Sequence, residues 1–363
     1  MKNQYKTNMP EEEERMNRAD KLMILFLGIG FLCALIPAVK ALAASEEVIE
    51  LKYGTQYPPT HSYSIADQHW IDKIEKETNG RVKIKPYWAG TLIGNIGNVA
   101  QVAKGTVDIG FITPVFEASG VDLTVAAIGY FWGSPSDKLN IKIYWELWDK
   151  FPELRKEIDR VKVLALTAAT PMRLMTIKPV RTLADLKGMK IKTSGDMIAP
   201  LKAFGAEGLG ISMAEAVDGM RKGTIDGVFC NVDGYKSMKL AEMVKYETEN
   251  FFSTRGPNGA RGMNWDTWNK LPPDIQKVFE VNKEWWSFEI VNMMEKGDIE
   301  GRELAKKAEV QIIQMPASEV QKFSDVHEAE DIKMARELDK KGLPATKLYN
   351  EARRLLKLYS STK

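Results

Sequence analysis

Few side chains in this chain have the types and spacing that chemistry on a substrate needs. Its 363 residues hold three histidines and two cysteines. His61, His69 and His327 are not spaced as metal ligands, and one of the cysteines, Cys33, falls in an apolar N-terminal run. Cys230 is therefore left without an intramolecular disulfide partner or a thiolate metal cluster. No G-x-S-x-G elbow, H-E-x-x-H pair, phosphate loop or C-x-x-C occurs. "HEAED" (327–331) reads as a solvated helical face. Asp108 and Asp226 could serve a lyase or hydrolase, but both recur in the echo "KGT[VI]D", which favours a structural place at a strand start. The chemistry on offer is recognition. Cations stand at strand ends in "MRLMTIKPV" (Arg173) and "LKGMKIKTSG" (Lys192, with Lys190 one pleat earlier and solvated).

The elements that position those cations repeat. "RVKIKPYWAG" (81–90) anticipates "LKGMKIKTSG" (186–195), and "VAKGTVDIG" (102–110) anticipates "MRKGTIDGV" (220–228). Around the first copy the pattern predicts a strand in "VIELKYGTQYPP", a helix over 64–78 stopped by Asn79-Gly80, a strand over 82–87, a helix closed by Gly105 and the buried strand "TVDIGFITP". Around the second it predicts "VKVLALTAAT" as a buried strand, a strand at "PMRLMTIKPV" and a short helix capped by Thr182. A strand over 188–193, a helix over 196–204, a helix capped by Ser212 and the strand "TIDGVFC" follow. The remainder is helical, interrupted by "VQIIQMP". Alternating strand and helix twice over predicts two α/β lobes.

Ligands of open α/β sheets bind beyond the carboxyl ends of the strands. The candidates there are His61 in "YPPTHS", Trp88 and Asn95 in "WAGTLIGN", Thr113 and Phe116 in "ITPVF", Arg173, Lys192, Ser194, Met213, and Cys230 with Asn231 in "FCNVDGY". Trp145, Trp148, Trp268, Trp285 and Trp286 read as packing residues. Composition agrees with a globular binding protein: 44% of residues are apolar and the formal net charge is +2, which supplies no field for nucleic acid. An uncharged run from Leu22 to Val39 followed by "ALAAS" has the pattern of a secretory signal, or of an N-terminal anchor if it is not cleaved.

The segment "MRLMTIKPVRTLADLKGMKIKTSG", together with "KGTVDIGF", "AVDGMRKGTIDGV" and "WDTWNKLPPDIQKVF", resembles the extracytoplasmic substrate-binding proteins of tripartite ATP-independent periplasmic (TRAP) transporters, the dicarboxylate-binding-protein-like family. The resemblance implies a two-lobed periplasmic binding protein of type II-like α/β fold, with hinge strands and a long bracing helix. It implies a signal peptide or anchor at 1–44, one lobe from 45–169 plus 256–298 and a second from 170–255 plus 299–363. It also implies a periplasmic, non-enzymatic receptor, expected to be a monomer without metal or cofactor, that hands a small organic acid to membrane permease subunits. In that family an arginine ending the "DLKG" strand anchors the ligand carboxylate. Lys192 stands there in this chain, a point charge in place of a bidentate fork, while Arg173 matches the second family arginine. The family often has acids near the "LIGNIG" turn and after "DIGF"; Gly94, Asn95 and Thr113 replace them. The expected ligand is thus a monocarboxylate with an apolar or aromatic body, stacked by Trp88, Phe116 or Trp132. A periplasmic enzyme using the same cleft is the competing reading.

Overall fold

A computed structural model describes residues 48–361, except 95, 118, 135, 168–169, 254–255 and 258. The predicted signal or anchor at 1–44 and Asn95 lie outside the described residues. The first part of the chain runs β1 (Ile49–Gly54), α1 (Ser62–Glu77), β2 (Val82–Tyr87), α2 (Asn98–Ala103) and β3 (Ile109–Ile112). It continues through α3 (Asp122–Gly129), α4 (Asp137–Lys150), α5 (Pro152–Lys156) and β4 (Lys162–Thr167). Next come β5 (Met172–Thr176), β6 (Lys190–Lys192), α6 (Gly195–Ala203), β7 (Glu207–Leu209), α7 (Met213–Arg221), β8 (Gly227–Cys230), α8 (Gly234–Ser237) and β9 (Tyr246–Ser253). The chain then returns through β10 (Gly259–Met263), α9 (Trp265–Lys270), α10 (Pro273–Val281), α11 (Lys283–Lys307), β11 (Gln311–Ile313), α12 (Ala317–Lys340) and α13 (Ala345–Ser360).

These strands make two sheets, in the orders β2-β1-β3-β10-β4 and β11-β9-β5-β8-β6-β7. Each sheet is the centre of one lobe. The two echoes do the same work in each lobe: the Asp108 carboxylate accepts the backbone N–H of Lys52 on β1 at 2.8 Å, and Asp226 accepts that of Lys190 on β6 at 2.9 Å. Each aspartate ties its turn to the neighbouring parallel strand, which fills the structural role and leaves no catalytic one to invoke.

β9 and β10 are absent from the sequence-predicted strands because their interiors are polar or lack side chains. Glu247 and Arg261 are fully buried within them, and such charges are tolerated only when paired. Arg261 forms an ion pair with Asp67 on α1 at 2.8 Å. Asp67 also accepts from Trp286 on α11 at 3.0 Å and from the Tyr53 hydroxyl on β1. The guanidinium lies 4.5 Å from the Phe111 ring centre, so a polar knot joins β1, β10, α1 and α11.

Among the described residues, two helices cross between the lobes. The expected bracing helix is α11: Trp286, Ile290 and Met294 join the first lobe's core, and Ala305 joins the second's. At its crossing point stand Gly297 and Gly301; a Cβ at Gly301 would lie 2.1 Å from the Val232 carbonyl oxygen. Gly301→Ala is therefore expected to lose roughly 1–3 kcal/mol of stability by overpacking, read as a lowered urea midpoint at unchanged slope; a midpoint within error of the parent would show that the helix can shift aside. The second crossing helix is α12. Phe323 packs in the second lobe with Leu174 and Phe229, whereas Ala335 and Leu338 pack in the first with Ile143 and Leu147. The stripe 323, 327, 331, 335, 338 faces inward, so "HEAED" is not a solvated face: His327 is fully buried and Asp331 nearly so. The last helix, α13, grouped with the second lobe by chain order, places Leu348, Ala352, Leu355 and Leu356 in the first lobe's core. Their helical spacing makes an apolar stripe that α4 complements.

Candidate functional site

The second lobe's contribution follows from register. β5 and β8 are antiparallel with Arg173 opposite Cys230, and β6 runs parallel to β8 with Lys192 opposite Val228. Since alternate residues of a strand share a face, Arg173, Cys230 and Lys192 project from one face at adjoining strand ends. Met175, Val228 and Cys230 form an apolar floor beneath them, against which half-buried Met213 packs. Burial pushes the Cys230 thiol up to about 12, with Lys192 close enough to oppose it. The thiol is thus a small apolar surface and no nucleophile.

Burial lowers half-buried Arg173, and the field of Glu247, Glu249 and Asp298 opposes that loss of solvent only in part. Glu247 itself is spanned by both terminal nitrogens of Arg302 at 2.9 Å and receives the Tyr235 hydroxyl at 2.9 Å. After Lys192 the chain turns through Thr193 and Ser194 into α6. The hydroxyls of both residues are buried without a hydrogen-bond partner among the described residues, and a buried hydroxyl in that state calls for a ligand or water. Asn231 donates to the carbonyl of Thr170, binding the end of β8 to the residues just before β5.

The first lobe's wall is aromatic. Tyr57, in the loop after β1, sits 4.3 Å from the His61 ring, 5.1 Å from Tyr63 and 5.2 Å from Phe111, measured between centres. Its backbone carbonyl accepts from Ala89 at 2.8 Å, which lays the Trp88 loop alongside. Trp88 is half-buried and packs edge-on against Tyr53 at 5.8 Å. Buried His61 caps α1, its Nδ1 accepting from the Tyr63 N–H at 3.1 Å. Burial, opposed by Asp233 and aided by Arg261, lowers it to about 4. His61 is therefore neutral at pH 7 and supplies a ring rather than a charge. Burial likewise raises Tyr57 to about 12, so its phenol keeps its proton. Thr113 is clamped at both its N–H and its hydroxyl by Asn98, each at 2.9 Å, which commits much of it to holding the loop after β3. The side chain of Phe116 lies outside the described residues.

One of the candidate stacking rings is engaged within the protein. Trp132 stacks on His327 at 4.5 Å and donates its indole N–H to Ser324 on α12 at 3.0 Å, so its ring is spent on the crossing helix, because that helix buries its inward stripe. Other groups were missed by sequence reasoning. Ser62 donates to Asp233 across the lobes at 2.9 Å, and the Asp233 N–H donates to Asp298 on α11 at 2.7 Å. Only Ser62 and Asp233 fall in the flagged loops; Asp298 sits inside a helix with no local signal. Burial, then the nearby Asp298 and Glu295, raise Asp137 at the start of α4 to about 7, and burial raises Asp298 to about 6.

That gives a pH test. An acid whose folded value is raised stabilises the fold when protonated, so Asp137's contribution is complete below about pH 4 and lost as pH rises through about 7. Asp137→Asn is expected to stabilise the protein by roughly 1–3 kcal/mol at pH 8 and not at pH 4. Melting curves at the two pH values check it; an equal effect at both would assign the change to packing.

Among the described residues, no group of three or more His, Cys, Asp or Glu is placed to hold a metal, and no helix is long and apolar enough to cross a membrane. Comparison with known proteins agrees with the geometry. Residues 53–337 match the family described as bacterial extracellular solute-binding protein, family 7. A TRAP solute-binding protein of Rhodoferax ferrireducens, solved with copurified benzoate, is 25% identical with a TM-score of 0.79, covering 86% of this chain and 99% of that one. A TRAP periplasmic solute-binding protein of Desulfovibrio salexigens is 27% identical with a TM-score of 0.74, covering 87% and 98%. The 2,3-diketo-L-gulonate-binding periplasmic protein of Escherichia coli is 27% identical over 211 residues, 54% of this chain and 60% of its own length. These relatives are solute receptors and not enzymes, which removes the lyase or hydrolase reading. With its two lobes, its strand-end cations and a family match over most of its length, the chain belongs to family 7 of the bacterial extracellular solute-binding proteins, the TRAP receptors.

Proposed function

We propose that this protein captures a small organic acid with one carboxylate and an apolar or aromatic body, in the cleft between its lobes, and delivers it to a membrane permease. The observation that carries this reading is the placement of Arg173 and Lys192 on one face at adjoining strand ends, over an apolar floor. The aromatic wall of Tyr57 and His61 belongs to the opposite lobe. Two cations suit a carboxylate and uncharged rings suit the rest of the ligand. Benzoate bound to the Rhodoferax protein supports the aromatic body. Asn95, Phe116, Trp88, Ser194, Met213, Cys230 and Asn231 complete the proposed lining. Periplasmic location, a monomeric state and a division of the chain near 169/170, 255/256 and 298/299 belong to the same reading. Ligand binding stabilises by mass action. Mass spectrometry of small molecules released by denaturation, followed by thermal shifts with benzoate, 3-hydroxybenzoate, glucuronate and benzamide, tests it. The expected result is a shift of several degrees with the aromatic acids and none with benzamide. Equal shifts with acid and amide, or no shift with any acid, would overturn the ligand class.

A further inference from the structure

α12 carries a charge where a helix crossing two packed cores would be expected to carry a hydrophobe. The His327 ring is fully buried, with Nδ1 3.2 Å from Asp331 on the same helix and Nε2 3.9 Å from Asp196 on α6. The Trp132 ring covers it at 4.5 Å and 21°. Asp331 is pressed against the first lobe: a Cβ at Gly129 of α3 would lie 2.5 Å from its Oδ1. Asp196 belongs to the second lobe and stands in the first turn of α6, two residues after Ser194. The cluster thus begins at the ligand-facing turn Lys192–Ser194 and ends on the opposite lobe.

The surrounding charges leave the imidazole with two acids and no adjacent cation of its own helix. Asp122, the only charge on α3, lies beside Lys341 at 3.8 Å. On α6 the other charge, Lys202, is exposed. From α13, Arg353 reaches the Trp132 carbonyl at 2.7 Å and acts on Asp331, and Glu328 of α12 accepts from Tyr349 at 2.8 Å. Burial alone would lower His327; Asp196 and Asp331 outweigh it and raise the group to about 9.

We propose that His327 is a positioning residue for ligand capture, an imidazolium that pins the opening turn of α6, and with it the Lys192–Ser194 edge of the cleft, to the first lobe through Asp196 and Asp331. It goes beyond the acid-receptor reading by naming what holds the cleft's cationic edge in place. The tie is complete at neutral pH and is released as pH rises through about 9. Its looser side is the second lobe, at 3.9 Å against 3.2 Å, so release frees α6 first.

The test needs no ligand, so its failure is distinct from failure of the acid-receptor reading. In intact protein labelled with 15N at its histidines, the His327 ring is expected to show imidazolium shifts at pH 7.5 and to titrate near 9; a neutral tautomer at pH 7.5 overturns the proposal. Amide exchange over Gly195–Ala203 is expected to be about tenfold faster in His327→Gln than in the parent at pH 7, and equal to it at pH 10 after correction for intrinsic rates. Exchange that is unchanged at pH 7, or that differs equally at both pH values, overturns it as well. Asp196→Asn, at the edge of the cluster, serves if the histidine variant does not fold: it should lower the His327 midpoint by about one unit and speed exchange in α6 alone, and an unmoved midpoint counts against the tie.

Discussion

Arg173→Ala is expected to weaken binding of the carboxylate ligand by about a hundredfold or more, because truncating one partner of a desolvated charge pair typically loses about 2–5 kcal/mol. The fold should survive, since buried Glu247 keeps its bidentate contact with Arg302 and its bond from Tyr235. Lys192→Ala is expected to lose less, about tenfold, as a point charge without the planar fork. Isothermal titration with whichever acid is released from the purified protein measures both. A loss under about threefold at Arg173, with an unchanged melting temperature, would move the anchor elsewhere in the cleft. Lys192→Arg is informative in the other direction: tighter binding would show that the cleft accommodates the arginine that the family resemblance implies, weaker binding that it is shaped around the shorter head.

The second large effect concerns the polar knot behind the aromatic wall. Asp67→Ala leaves Arg261 buried without its carboxylate, and breaking such a pair from one side typically costs about 3–5 kcal/mol. Tyr53, Trp286 and Arg261 all lose a partner at once. Because Arg261 lies 4.5 Å from the Phe111 ring and 5.5 Å from that of Tyr63, the loss should reach the surface on which Tyr57 rests. Denaturant unfolding of the single variants and of Asp67→Leu with Arg261→Met decides the cause. The double variant should recover part of the loss, since a hydrophobic pair carries no desolvation penalty. A single-variant loss below about 1 kcal/mol would mean that water reaches the knot.

What the sequence made legible was whatever repeats or alternates. The paired "KGT[VI]D" turns and the strands ending in Lys192 and at Trp88 follow from local pattern alone, and the structure uses both aspartates identically. What escaped depends on distant partners. β10 reads "GARGM", a poor strand until Asp67 neutralises its arginine. His327 and Asp331 read as a wet helix face because they are polar, although Phe323, Ala335 and Leu338 continue their stripe on the same side. In the candidate site, the rule about strand ends pointed to the loops holding His61, Arg173, Lys192 and Cys230. The division of labour within them was not: His61 is a neutral cap, Asn231 and Thr113 brace loops, and Trp132 serves α12.

The order of strands also governs when this polypeptide can fold. β10 lies between β3 and β4 in the first sheet, yet it follows every strand of the second sheet but β11 in the chain. Until it emerges, β4 has no strand to join. The core around Ile112 and Leu147 stays open to solvent until Leu348–Leu356 arrive from the last helix. Neither half can therefore be finished ahead of the other during synthesis, and contacts so distant in sequence form slowly. For a family of extracellular proteins, late closure would keep such a polypeptide threadable for longer. The same topology makes it intolerant of C-terminal truncation, because deleting the final helix uncovers the half of the molecule that was made first.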